Sequence, residues 1–229
     1  MSDDASPRSP LELLEALAVE EAEITTGLAH LEVYTLRGLL TLLWHGQRDA
    51  QSVLVTCGGG MGSLLGPANA LYQDLGFHLD RTHGIATVRV GYRKPNDLSR
   101  CVHDVAAAAD LASRSGARNF VVMGHSFGGA VAVQAGVVLS RHCRGVVTLS
   151  TQSAGCEDAA ALGDTPLLLF HGSDDEILPA EASTIVQMLA GHGEVVMLPG
   201  DGHLLTKSAG AIRQRLYHWI PDVLSAERE

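Results

Sequence analysis

Short apolar runs alternate with longer amphipathic segments along most of the chain, and this alternation predicts an α/β protein. The apolar runs are rich in Val, Leu and Ile, as buried strands are. From residue 52 onward the order strand then helix repeats, which specifies a mostly parallel central sheet with helices on both faces. The predicted strands cover 52–56, 84–91, 120–123, 145–150, 165–170 and 194–198, and the predicted helices cover 68–79, 98–113, 130–139, 179–190 and 204–224.

The first fifty residues follow a different pattern. Residues 30–36 and 39–44 alternate as two strands, and Arg37-Gly38 between them indicates a hairpin turn. Residues 11–22 are acidic and rich in Leu, which favours a peripheral helix, and we expect residues 1–10 to be disordered. The predicted organisation is therefore a tail with a peripheral helix over 1–29, followed by a single α/β domain over 30–229.

Composition places the chain among soluble globular proteins. Apolar residues make up 46% and charged residues 18% of the 229 positions. The net charge of −10 argues against a nucleic acid or an anionic membrane as a partner. The N-terminus lacks the basic and apolar regions of a signal peptide, and no apolar run approaches the ~20 residues that span a bilayer. We therefore expect a cytoplasmic protein.

The cysteines and histidines do not indicate a disulfide framework or a metal site. The four cysteines are scattered, and none forms a C-x-x-C pair. The histidines lack the spacing of metal ligands. We therefore expect no metal and no cofactor. Cys57 is expected to be a buried packing residue, with a reactive thiol as the alternative.

Candidate chemistry begins in FVVMGHSFGGAV, residues 120–131. A strand, a tight turn and a helix with Ser126 at the apex form the G-x-S-x-G nucleophile elbow. We expect Ser126 to have a strained backbone with positive φ. Gly124 and Gly128 are expected to omit side chains where the strand and the helix approach each other. The alternative is a glycine-rich turn whose serine only caps the helix.

Two further segments could complete a site with Ser126. A serine nucleophile needs a base, and the base needs a carboxylate that orients it. HGSDDEILP, residues 171–179, follows one predicted strand, and PGDGH, residues 199–203, follows the last one. Both therefore lie at the carboxyl edge of the sheet, where such folds bind ligands. The chain order is serine, acid and histidine.

With GHSFGG, HGSDDEILP and GDGH in this order, the chain resembles an α/β-hydrolase fold protein over about residues 30–224. The resemblance implies Ser126 as nucleophile, Asp175 as acid and His203 as base. Other carboxylates remain open as the acid: Asp174, Glu157 and Asp158. His125 is expected to point away from the site and pack, and His171 is expected to brace its loop.

An α/β-hydrolase also needs an oxyanion hole. One donor should be the N–H of Phe127, directly after the serine. The second should come from Gly58–Gly60 after the strand 52–56, with Gly59 or Gly60 favoured and not distinguished. Many relatives have His-Gly at this strand end, whereas this chain has Cys57-Gly58.

The resemblance implies a small, lidless serine hydrolase, because only residues 151–164 separate two strands where many relatives insert a cap domain. Small carboxylesterases, acyl-thioesterases and dienelactone-hydrolase-like enzymes share this plan, although the last group usually has a cysteine nucleophile. We expect hydrolysis of a small or accessible carboxylic ester or thioester through an acyl-enzyme. The small-molecule acyl substrate is the only partner implied, and oligomeric state is left open.

Three functions are alternatives to this predicted hydrolase. The same three residues could transfer an acyl group to an acceptor other than water, or the fold could be a non-catalytic binding protein. A nucleotide-binding oxidoreductase is disfavoured, because the G-x-G-x-x-G pattern that starts at Gly58 has Ser63 in place of its third glycine.

Overall fold

A nine-stranded sheet forms the centre of the protein in the computed structural model, which describes residues 8–226. Its strand order is β1-β2-β3-β5-β4-β6-β7-β8-β9. The sheet is antiparallel from β1 through β3 to β5 and parallel from β5 to β9. The strands are β1 (Ala16–Thr25), β2 (Leu28–Thr35), β3 (Gly38–His45), β4 (Ser52–Cys57), β5 (Ala86–Gly91), β6 (Asn119–His125), β7 (Cys143–Leu149), β8 (Leu167–Gly172) and β9 (Glu194–Leu198).

Helices cover both faces of this sheet, as the alternating pattern predicts. The helices are α1 (Pro10–Leu13), α2 (Pro67–His83), α3 (Leu98–Ser115), α4 (Phe127–Leu139), α5 (Glu181–Ala190) and α6 (Ala209–Ser225). Successive residues of a strand point to opposite faces, so β4 sends Val53 and Val55 into the core under α3 and α4. It sends Leu54 into a second core under α2 and α6. The predicted α/β class is confirmed.

The N-terminal segment differs from the prediction. Helix α1 is a single turn with a capping box between Ser9 and Glu12. Glu15 then has φ 56°, and residues 16–25 form β1 against β2 instead of continuing the helix predicted over 11–22. The backbone ladder offered by the open edge of β2 outweighs the helical propensity of this segment, which is rich in Ala and Glu. Of the residues expected to be disordered, 1–7 lie outside the described part, and Pro10 is helical.

The remaining expectations about the core hold with small shifts in bounds. The predicted hairpin is present as β2 and β3. The last helix begins at Ala209 rather than at residue 204, because residues 204–208 form a loop. The segment between β7 and β8 contains, among described residues, only the short 3-10 turn Ala159–Leu162, so no sizeable cap domain is present there.

The elbow depends on a backbone contact that leaves no room for a side chain. A Cβ atom on Gly124 would lie 1.7 Å from the carbonyl oxygen of Gly128, and both belong to main chain that cannot move independently. We expect Gly124→Ala to lower the free energy of unfolding by roughly 2–4 kcal/mol, because β6 and α4 must separate.

Urea unfolding of Gly124→Ala beside Gly210→Ala measures this effect. Nothing lies within 4 Å of a Cβ on Gly210 at the start of α6, so that control should match or slightly exceed the wild type in stability. Equal stability of the two variants would contradict the steric argument.

Candidate active site

Ser126 lies at the apex of the turn between β6 and α4, where the motif predicts it. Its backbone has φ 57° and ψ −124°, which confirms the expected strained conformation. Its N–H donates to the Leu149 carbonyl at 2.9 Å, and its own carbonyl accepts from the Gly129 N–H at 2.9 Å. These two bonds hold the apex in place. The Ser126 side chain is partly exposed at the carboxyl edge of the sheet.

Asp175 is the carboxylate that meets His203. Its Oδ2 accepts from Nδ1 of His203 at 2.8 Å. Its Oδ1 accepts from the backbone N–H groups of Ile177 and Leu178, both at 2.9 Å. Burial raises the pKa of Asp175. The hydrogen bonds from the Leu178 N–H, His203 and the Ile177 N–H lower it by more than burial raises it, so the pKa lies below its ordinary value. Asp175 is therefore held as a buried carboxylate.

The other carboxylates considered from the sequence lie elsewhere. Asp174 is exposed and accepts from the Ser173 hydroxyl at 2.9 Å. Glu157 is also exposed, and its carboxylate accepts from the Gly155 N–H within its own loop. Its exposed neighbour Asp158 begins the 3-10 turn between β7 and β8. The hydrogen bond between Asp175 and His203 thus separates Asp175 from these alternatives.

His171 is a second histidine on Asp175. Its Nε2 lies 3.2 Å from Oδ2 of Asp175, and its Nδ1 lies 2.7 Å from the Ser183 hydroxyl of α5. Burial lowers the pKa of His171, so the ring is neutral at neutral pH. A neutral His171 that accepts from Ser183 donates its Nε2 proton to Asp175. The expectation that His171 braces its loop is confirmed.

The loop with His203 is held by carboxylates. Oε2 of Glu176 accepts from the His203 N–H at 3.2 Å. Asp201 is buried, and its carboxylate accepts from the N–H groups of Gly202, Lys207 and Ser208 at 3.0, 3.3 and 2.7 Å. Asp201 therefore fixes the turn that leads into α6. His203 itself is 5% exposed.

His125 does not point away from the site as expected. Its Nε2 lies 3.1 Å from the His203 carbonyl, and the two rings are 4.8 Å apart. Strand alternation explains this contact, because His125 lies on the same face of β6 as Val121 and Met123. That face packs under α6, into which the His203 loop leads. Burial lowers the pKa of His125 to about 4, although the His203 carbonyl opposes the shift.

The glycine loop after β4 lies against the elbow. A Cβ on Gly59 would be 3.7 Å from Cβ of Ser126, and a Cβ on Gly60 would be 3.7 Å from Cβ of Phe127. Phe127 begins α4, where the first N–H groups have no acceptor within the helix. The structure thus brings the three predicted oxyanion residues to Ser126. Cys57 is completely buried, and burial raises the pKa of its thiol, which confirms its packing role.

Two tyrosine contacts escaped the sequence analysis. The Tyr72 hydroxyl donates to the Cys57 carbonyl at 2.8 Å, and the Tyr92 hydroxyl donates to the Gly58 carbonyl at 3.1 Å. The available signal was weak: Tyr92 directly follows a buried strand at the carboxyl edge of the sheet. In the described residues 8–226, no helix is long and apolar enough to cross a membrane, and no cluster of His, Cys, Asp or Glu side chains could hold a metal ion.

Comparison with known proteins identifies the family and the fold. A family model described as phospholipase/carboxylesterase matches residues 102–217. No curated protein matches the chain significantly. Among solved structures, Est1E from Butyrivibrio proteoclasticus is similar with a TM-score of 0.73 and 16% identity, over 86% of this chain and 99% of that chain. Dienelactone hydrolase from Anabaena variabilis is similar with a TM-score of 0.72 and 16% identity, over 90% of this chain and 99% of that chain. These structural likenesses establish an α/β-hydrolase fold.

The buried histidines predict a loss of stability in acid. Burial lowers the pKa of His125 to about 4. Burial, with a smaller contribution from the Arg89 guanidinium, lowers the pKa of His45 to about 4. In the unfolded chain both imidazoles have a pKa of about 6.5, so the unfolded state binds protons more readily than the folded state. The free energy of unfolding should therefore fall as pH drops from about 6.5 towards 4, by up to about 1.4 kcal/mol per pH unit for each group.

Urea unfolding at a series of pH values between 7 and 4.5 measures this slope. His125→Gln should have a shallower slope than the wild type, because one of the two groups no longer titrates. An unfolding free energy independent of pH across this window would contradict the burial of these rings as neutral groups.

Proposed function

The chain belongs to the phospholipase/carboxylesterase family of the α/β-hydrolase superfamily, and on that premise we propose that it is a serine hydrolase of carboxylic esters or thioesters. The observation that supports this most directly is the 2.8 Å contact between His203 Nδ1 and Asp175 Oδ2, with the His203 carbonyl 3.1 Å from the ring of His125, the residue before the strained Ser126. A base oriented by a buried carboxylate is what a serine nucleophile requires.

In the proposed mechanism, Oγ of Ser126 attacks the substrate carbonyl carbon while Nε2 of His203 takes the hydroxyl proton. Asp175 accepts a hydrogen bond from Nδ1–H of His203, which keeps that proton on Nδ1 and leaves Nε2 unprotonated and able to act as base. His203 then gives its proton to the leaving alcohol or thiol, and an acyl-enzyme ester on Ser126 remains. A water molecule, deprotonated by His203, attacks that ester. The bond to Oγ breaks, His203 returns the proton to Ser126 Oγ, and the carboxylic acid is released.

The oxyanion of each tetrahedral intermediate needs fixed donors. The N–H of Phe127 at the start of α4 is the first, and it also benefits from the positive end of the helix dipole. The second comes from Gly59 or Gly60, both of which lie against the elbow. Backbone donors of this kind need no reorganisation during the reaction, which is why they stabilise the transition state.

An open site suits a small or accessible acyl group. The described segment between β7 and β8 forms no cap over Ser126. Three loops at the site present exposed apolar side chains: Met61 after β4, Ile177 beside Asp175 and Leu204 beside His203. Met61 is 96% exposed. These side chains favour an apolar acyl portion that contacts a shallow surface and is not enclosed in a deep pocket.

Covalent labelling with a small fluorophosphonate tests the nucleophile. We expect one adduct on Ser126, located by peptide mass spectrometry, because phosphonylation needs an activated serine. Ser126→Ala should lose the adduct, and His203→Ala should lose labelling and turnover together, since triad members act as a unit. The absence of an adduct on folded wild-type protein would instead support the non-catalytic reading.

A chain-length panel of esters and thioesters, run with and without alcohol acceptors, then separates hydrolysis from acyl transfer. If the enzyme is a hydrolase, free acid should be released at the same rate with and without the added acceptor. Preferential formation of a new ester would show that the activity is acyl transfer and not hydrolysis.

The acid is tested by two adjacent substitutions. Asp175→Asn should lower kcat by about 10⁴-fold, because an amide cannot hold His203 in the tautomer that leaves Nε2 free. Asp174→Asn is the matched control, since the exposed Asp174 contacts Ser173 and not His203. Steady-state kinetics of both variants, with thermal unfolding as a check on folding, measure the difference. A larger loss in Asp174→Asn would overturn the assignment of Asp175.

A further inference from the structure

Two buried tyrosines donate their hydroxyl groups to two consecutive carbonyls of the glycine loop after β4. Tyr72 of α2 reaches the Cys57 carbonyl at 2.8 Å, and Tyr92, directly after β5, reaches the Gly58 carbonyl at 3.1 Å. Tyr72 is fully buried, and Tyr92 is 9% exposed. Both side chains therefore hold the main chain of a loop that supplies a proposed oxyanion donor.

A planar trans peptide transmits this contact from one residue to the next. The carbonyl of Gly58 and the N–H of Gly59 belong to one peptide unit and point in opposite directions. A hydroxyl that holds the Gly58 carbonyl thus fixes the direction of the Gly59 N–H. It also polarises the amide, which makes that N–H a stronger donor. By the same argument, Tyr72 fixes the N–H of Gly58.

Packing around the loop restricts the Gly58 carbonyl further. A Cβ on Gly128 would lie 2.3 Å from that oxygen, so the carbonyl is seated directly on the first turn of α4. The next residue, Gly59, is the one that borders Ser126. Its carbonyl accepts from the Gly62 N–H at 2.9 Å, which closes a tight turn. The peptide before Gly59 therefore has a fixed position beside the nucleophile.

Tyr92 also contacts the other proposed donor residue. Its ring meets the Phe127 ring edge to face, with centroids 6.5 Å apart and an interplanar angle of 90°. One side chain thus touches Phe127 through its ring and the peptide of Gly59 through its hydroxyl.

We propose that Tyr92 is a positioning residue for the oxyanion hole and that the second donor is the N–H of Gly59. The inference rests on the proposed hydrolase function. Tyr92 itself touches neither the substrate nor the reacting atoms. Burial raises the pKa of Tyr92 far above its ordinary value, so the hydroxyl keeps its proton and remains a donor throughout the working pH range.

The test compares Tyr92→Phe with Tyr72→Phe, each of which removes a single hydroxyl and keeps the ring. Loss of an oxyanion donor costs roughly 100- to 1,000-fold in kcat, and a donor that is present but no longer held should cost about tenfold. We expect this loss in Tyr92→Phe with KM unchanged. Tyr72→Phe should cost less in kcat than Tyr92→Phe, because it releases the N–H of Gly58, which is not the proposed donor.

Binding of a tetrahedral boronic acid inhibitor separates positioning from general destabilisation. In Tyr92→Phe its affinity should fall by the same factor as kcat/KM, whereas the affinity for the product carboxylate should not change. Thermal unfolding of both variants shows whether a general loss of stability is shared. A merely structural role of Tyr92 predicts equal losses in boronate and product binding.

The outcomes distinguish this inference from the function on which it rests. If the wild type turns over esters and Tyr92→Phe has the same kcat, the role of Tyr92 is overturned but the proposed function is not. Equal kinetic losses in Tyr92→Phe and Tyr72→Phe would overturn the choice of Gly59. Wild-type protein that neither turns over esters nor is labelled on Ser126 would overturn the proposed function, and the inference with it.

Discussion

The structure of the site depends on a close approach of three main-chain segments that carry no side chains where they meet. The end of β6, the first turn of α4 and the loop after β4 come together at Gly124, Gly128 and Gly58. A Cβ on Gly124 would overlap the Gly128 carbonyl, and a Cβ on Gly128 would overlap the Gly58 carbonyl. Only this contact lets the strained Ser126 and the glycine loop share one small volume. The backbone strain at Ser126 persists because the surrounding main chain permits no other arrangement.

Burial of charge is the second constraint on the site. A carboxylate removed from water needs donors for its oxygens, or it becomes protonated. Asp175 has two backbone N–H groups and His203 as donors, with His171 as a fourth, and Asp201 has three backbone N–H groups. The two acid-bearing loops also cross closely, since a Cβ on Gly172 would lie 2.2 Å from the Asp201 carbonyl. The same contacts that satisfy these carboxylates hold the proposed acid and base in register.

Hydrogen bonds from beyond the three proposed catalytic residues account for much of the order around them. His171 and Ser183 hold Asp175 from the side of α5, whereas His125 packs against His203 from the end of β6. Tyr72 and Tyr92 hold the glycine loop from α2 and from the end of β5. Each face of the sheet therefore contributes a buried polar side chain to the edge where Ser126 lies. Such support fixes functional groups more firmly than loop backbone alone.

Local patterns in the sequence determined the alternating strands and helices, the positive φ of Ser126 and the glycines of the elbow. These features follow from residue period, turn chemistry and steric demand, which act over a few neighbouring positions. The motif resemblance pointed to Asp175 rather than Asp174 for the same reason. The shape of the loop HGSDDEILP is set by its own residues.

Only the tertiary structure decided the fate of residues 16–25, the contact of His125 with His203 and the two tyrosine hydroxyl bonds. The edge of β2 made a strand where local propensity favoured a helix. The hydroxyl of Tyr92 acts on Gly58, 34 positions earlier in the chain. Such partners are chosen by the packing of whole elements, which no local pattern records.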